Sequence, residues 1–191
     1  HPVTVNSADL RQSLTSSRSF ATTTSKLYDL KSAVAYHVEQ IALKLRQQNL
    51  LATRLYVSLR ASRHGDFAYK RGSVEVPLTK PSNETTYLLS QAMSACEALY
   101  EVGVPYKKAG VIASGLMPPH YVQTDLFSTA NEESADTNAS LDAITDALNR
   151  RFGAGSVRSA MIQQSGSRTS ALLRSKSYTT AWQDIPNVKA T

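Results

Sequence analysis

One cysteine, Cys96, in 191 residues excludes an internal disulfide framework and a multi-cysteine zinc site, and a reducing compartment is the natural setting. No apolar run is long enough to span a membrane. The opening His1-Pro2-Val3-Thr4-Val5-Asn6-Ser7 lacks a basic segment backed by an apolar stretch, so it does not read as a signal peptide. It also lacks an initiator methionine, and the chain reads as a piece of a longer protein. Catalytic patterns are missing too. There is no Gly-x-x-x-x-Gly-Lys phosphate loop and no Gly-x-Ser-x-Gly elbow. No acid pair falls at adjacent strand ends, where it would hold two magnesium ions. The four histidines, His1, His37, His64 and His120, have no partner at metal-ligand spacing. His37, on a helix, reads as a surface or helix-edge residue. Enzyme activity is not expected of this chain.

What is present is a hydrophobic share of 41%, enough for a core, and 21 Lys plus Arg against 15 Asp plus Glu. The resulting charge of +6 points to a polyanionic partner, nucleic acid first, although it also suits simple solubility.

Periodicity gives the order of elements. Residues 1–15 are polar and read as a tether. Arg18 to Thr23 reads as a short strand. Leu30, Val34, Val38, Ile41 and Leu45 recur at helical spacing, with Asp29 as N-cap. In Thr53–Ala61, Leu55, Val57 and Leu59 alternate with Arg54, Tyr56, Ser58 and Arg60, the period of a half-buried strand. A turn containing Arg63, Lys70 and Arg71 leads to a strand with Val74, Val76 and Leu78 inward. Asn83 then caps a helix striped with Leu89, Ala92, Cys96 and Leu99, and Gly103 closes it. Tyr106 to Ser114 reads as the last strand. Cys96 is simply a small buried hydrophobe. The fold class is α+β: a βαββαβ unit over 16–120, a four-stranded sheet with both helices on one face and the other face wet. Residues 121–139 read as a solvated linker. In 140–191, Ser140 caps a short helix with Leu141, Ile144, Leu148 and Phe152, closed by Gly153, and a strand is expected near Val157–Ile162.

Two binding signals stand out. The wet sheet face carries Arg54, Tyr56 and Arg60, extended by Arg18 and Ser19 on the first strand, Arg63 in the turn, and Lys107 and Lys108 on the last strand. Such a face suits phosphates without base specificity, and it also suits plain solvation. The second signal is Gln123-Thr124-Asp125-Leu126-Phe127, whose apolar pair either folds back on the domain or enters a partner's pocket.

Together with Ser17-Arg18-Ser19-Phe20, Tyr106-Lys107-Lys108-Ala109-Gly110-Val111 and Tyr178-Thr179-Thr180-Ala181-Trp182, that pentapeptide resembles the C-terminal part of UmuC-type Y-family translesion DNA polymerases, in order and spacing. Ala21 stands where that family has glycine, and Thr124 where it often has leucine. The resemblance implies that the βαββαβ unit is a little finger lying on primer-template or damaged DNA. Gln123, Leu126 and Phe127 would then bind the bacterial sliding clamp. It also implies contacts of the tail with processed UmuD and RecA, and a cytoplasmic, nucleoid-associated setting. No cofactor belongs to this chain, since magnesium would sit in a palm domain upstream. The competing class is a protein-interaction module whose basic face meets an acidic protein.

Overall fold

The structure is a computed structural model describing residues 12–62, 71–121 and 132–162. In chain order it contains β1 (Ser13–Thr24), α1 (Leu27–Gln47), β2 (Ala52–Ala61), β3 (Arg71–Ser82), α2 (Thr85–Leu99), β4 (Tyr106–Ser114) and α3 (Glu132–Phe152). The strands lie in the order β1-β4-β2-β3, and each neighbouring pair is antiparallel. β1 and β2 are therefore parallel to each other with β4 between them, and β3 and β4 are parallel with β2 between them. Each helix of the βαββαβ unit crosses over one intervening strand, as a split βαβ requires.

The core lies between the helices and one sheet face. Leu55, Val57 and Leu59 of β2 meet Val111, Ala109 and Ala113 of β4 there, all buried. The α1 stripe Leu30, Val34, Val38, Ile41 and Leu45 has no solvent exposure and covers them. Leu88, Ala92, Ala95 and Cys96 do the same for α2, so the helix is rotated to bury Leu88 more deeply than Leu89. Burial pushes the Cys96 thiol up to about 11, consistent with an inert packing role.

Several local expectations change. β1 begins at Ser13 and so takes in the end of the expected tether, because Ser13–Thr15 pair with Ile112–Ser114. α1 starts at Leu27, and Asp29 lies inside its first turn, accepting a 2.7 Å hydrogen bond from the Thr24 hydroxyl. Asn83 does not cap α2. Its side-chain amide instead donates to the Leu50 carbonyl, and the Glu84 N–H donates to the Ser82 hydroxyl. Gly103 adopts φ +81° in the turn after α2, beyond the helix end at Leu99.

The larger correction is α3. Residues 132–138, expected as solvated linker, are helical. Arg46 of α1 fixes the middle of α3. Its Nε and Nη2 each donate to the Asp146 carboxylate at 2.8 Å, and its Nη1 lies 3.1 Å from Asp142. The Val157–Ile162 stretch is not a strand. The Asn149 side chain accepts from the Val157 N–H and donates to its carbonyl, both at 2.8 Å, which removes the groups a ladder needs.

His37 is buried, with 2% exposure, rather than at the surface. It faces β1, and Ser16 Oγ lies 2.9 Å from its Nδ1. Burial first, then the Arg18 and Lys108 charges, lower its pKa from 6.5 to about 4. The unfolded chain takes up a proton near pH 6.5 that the native ring refuses, so His37 withdraws stability as pH falls from 6.5 toward 4. Urea unfolding between pH 7 and pH 4.5 should show the midpoint falling, and His37→Gln should flatten that slope. Glu39, whose carboxyl pKa is raised mainly by burial, works in the opposite sense and remains in both proteins.

Candidate nucleic-acid interface

Residues opposite each other across a ladder share a face. The registers therefore arrange the uncovered face as four rows running across the sheet from β1 to β3. The first is Ser19, Lys108, Arg60, Arg71. The second is Ser17, Gly110, Ser58, Ser73. The third is Thr15, Ile112, Tyr56, Glu75, and the fourth Ser13, Ser114, Arg54, Pro77.

The first row places three cations on three adjacent strands, about 4.8 Å apart per strand. Like charges directly opposite one another destabilise a sheet. An anion laid across the row relieves that repulsion. The second row has no side chain larger than serine, so it forms a trough beside the cations. Gly110 is required there: a Cβ would stand 2.5 Å from the Ser17 Cβ. Ser58 Oγ donates to the Gly110 carbonyl at 3.2 Å, drawing the two central strands together. In the third row Tyr56 lies beside Ile112 as a half-exposed apolar platform.

The expected site residues separate accordingly. Arg60, Lys108, Ser19, Tyr56 and Arg54 share the uncovered face. Arg54 is partly neutralised, its Nη1 lying 3.6 Å from Glu75 Oε1. Lys107 turns to the sheet edge, where its Nζ donates to the Ala21 carbonyl at 2.9 Å. Arg18 does not extend this face. It pairs with Ala109, on the helix-covered side, because β1 alternates with Ser17 and Ser19 outward. Arg71, expected in a turn, is the first residue of β3 and completes the cation row. Arg63, Gln123, Leu126 and Phe127 lie outside the described residues. The trough escaped sequence reading because small residues carry no periodic signal. Only the register shows that Ser17, Gly110, Ser58 and Ser73 are neighbours.

Among the described residues, no group of three or more His, Cys, Asp or Glu is placed to hold a metal ion, and no helix is long and apolar enough to cross a membrane.

Comparison with known proteins follows the same division. Residues 11–126 match the family described as the impB/mucB/samB family C-terminal domain, and residues 139–188 match a domain of unknown function, DUF4113. The chain is 27% identical over 187 residues to Protein SamB of Salmonella typhimurium, covering 95% of this chain and 42% of SamB. It is 25% identical over 186 residues to Protein UmuC of Salmonella typhimurium, covering 95% of this chain and 43% of UmuC. Protein ImpB of the same species is 26% identical over 182 residues, 92% of this chain and 41% of ImpB. The chain thus spans about two fifths of the length of these relatives.

Gly110→Ala should force β1 away from β4 and cost about 1–3 kcal/mol, the usual range for overpacking. Adding Ser17→Gly should recover most of that loss, since it removes the atom the new methyl meets. Denaturation midpoints of the single and double variants measure both effects.

Proposed function

The chain belongs to the impB/mucB/samB family, whose C-terminal domain it contains, and from that membership we propose that it is the DNA- and clamp-binding, non-catalytic part of a translesion DNA polymerase. The observation that carries the DNA reading is the row Lys108–Arg60–Arg71 beside a trough of small residues. A phosphate backbone lying in that trough meets three cations on one side and the Tyr56–Ile112 platform on the other. On this reading the row meets the phosphate backbone, and binding is tolerant of sequence and damage. The sheet side chains are held by the strand ladder, which keeps the surface preformed.

Gln123, Leu126 and Phe127 follow the sheet domain and precede α3. On this reading Leu126 and Phe127 enter an apolar groove of the bacterial sliding clamp, and Gln123 hydrogen-bonds at its rim. Holding DNA and clamp together through one chain raises the effective concentration of each for the other. The segment beyond α3 takes part in contacts with partners such as processed UmuD and RecA. The chain works in the bacterial cytoplasm at the nucleoid, and magnesium for nucleotide transfer is bound by a domain other than this one.

Primer-template binding by the chain should weaken with salt. Arg60→Ala/Lys108→Ala should lower the slope of log K against log salt by about two, one for each lost phosphate contact. Arg54→Ala, already paired with Glu75, should lower it less. If Arg60→Ala/Lys108→Ala leaves the affinity and its slope unchanged, the sheet face is not the DNA surface, and an acidic protein becomes its partner of choice. Titration with a bacterial sliding clamp should show binding that Leu126→Ala/Phe127→Ala abolishes. Equal binding by both versions removes the pentapeptide from the interface.

A further inference from the structure

We propose that the apolar face of α3 is the docking site of the chain's own last segment, residues 163–191. An amphipathic helix on a domain surface normally turns its apolar side inward. α3 does the reverse. Asp142 and Asp146 point to the sheet domain, where Arg46 takes both and the Thr85 N–H donates to Asp142 at 2.9 Å. Leu141, Ile144, Leu148 and Phe152 recur at i, i+3, i+7 and i+11 and make one stripe. Leu141, Ile144 and Phe152 remain 55%, 57% and 63% exposed.

The chain after α3 doubles back along the helix, so the last segment starts within reach of this stripe. Gly153, at φ +103°, reverses direction. Asn149 then clasps Val157, and the Ser159 N–H donates to Glu39 of α1 at 2.7 Å. Glu39 in turn lies within the fields of Arg158, Asp142 and Arg46, so the returning chain has come back to the level of Asp142. Ile162, where the described chain stops, is buried. The stripe is about 16 Å long at 1.5 Å per residue. The residues after Ile162, at up to about 3.3 Å each, exceed that span several times over.

Composition fits the occupant. The segment carries Leu172, Leu173, Tyr178, Trp182 and Ile185 in an otherwise Ser/Thr-rich stretch. Its charged residues are Arg168, Arg174, Lys176 and Lys189 against Asp184, whereas α3 holds five acidic residues and two arginines. The DUF4113 match, 139–188, also takes the helix and the segment as one unit. A helix with its apolar side open and a polar segment with a few apolar residues form one small core together.

The test uses the whole chain and its one tryptophan, Trp182. At sub-micromolar concentration its emission should be that of an apolar site, shielded from iodide. Ile144→Ser/Phe152→Ser should shift it to the red and raise the quenching constant several-fold, with the circular dichroism of the sheet domain unchanged. Leu172→Ser/Leu173→Ser, read by amide exchange, should speed exchange in α3. Two results overturn the proposal. One is a solvent-like Trp182 emission unmoved by the stripe variant, together with α3 exchange unmoved by the tail variant. The other is a blue-shifted emission that is lost on dilution as sedimentation shows a dimer dissociating, which gives the stripe to a second copy.

Discussion

The pairing of β2 with β4 sets everything on both sides of the sheet. In the observed register Leu55, Val57 and Leu59 stand beside Ala113, Val111 and Ala109 under the helices, and Arg60 stands beside Lys108 on the other face. A slip of one residue in either strand would exchange its faces, putting cations into the core and leucines into water. The core and the basic row are thus one choice. Alanine at 109 and 113 helps fix it, since small side chains on β4 leave room for α1 to sit close to the sheet.

How much was legible beforehand follows from how strongly each element is half-buried. β2 alternates without interruption, so its two faces could be read directly. β1 is an edge strand of serine and threonine with only Leu14 and Phe20 fully inward among its hydrophobics, and its phase was hidden. That hidden phase put Arg18 on the wrong face and left Ser16 unrecognised as the partner of His37. His37 itself was hard to place because a polar ring is admitted to the core only when something answers its nitrogen, and the answer comes from a strand distant in sequence. The trough was invisible for the same reason: its four members come from four strands.

α3 shows where sequence pattern points the wrong way. Its apolar stripe was legible, but the inward direction was not, because a single guanidinium outweighs the stripe. Arg46 donates to Asp146, to the Asn83 carbonyl and to the Thr85 hydroxyl, and it lies against Asp142. Charge-assisted, two-pronged bonds of this kind are stronger than neutral ones and fix orientation. Asp142 also supplies what α2 lacks. No side chain of its own caps that helix, and the Asp142 carboxylate accepts the first N–H from outside. Among the described residues, the two family regions therefore meet through one arginine, one borrowed cap and the Ser159–Glu39 hydrogen bond.

The position of β1 at the far side of β4 has a consequence for biosynthesis. Ser13 finds its partner at Ser114, so the first strand of this sheet to leave the ribosome is the last that can be laid into it. Contacts this distant in sequence make assembly slow, and a greasy strand left waiting is prone to pair with a neighbour's. The Ser/Thr composition of β1, which obscured it as a strand, is also what lets it wait in water while β2, β3 and β4 close around the helices.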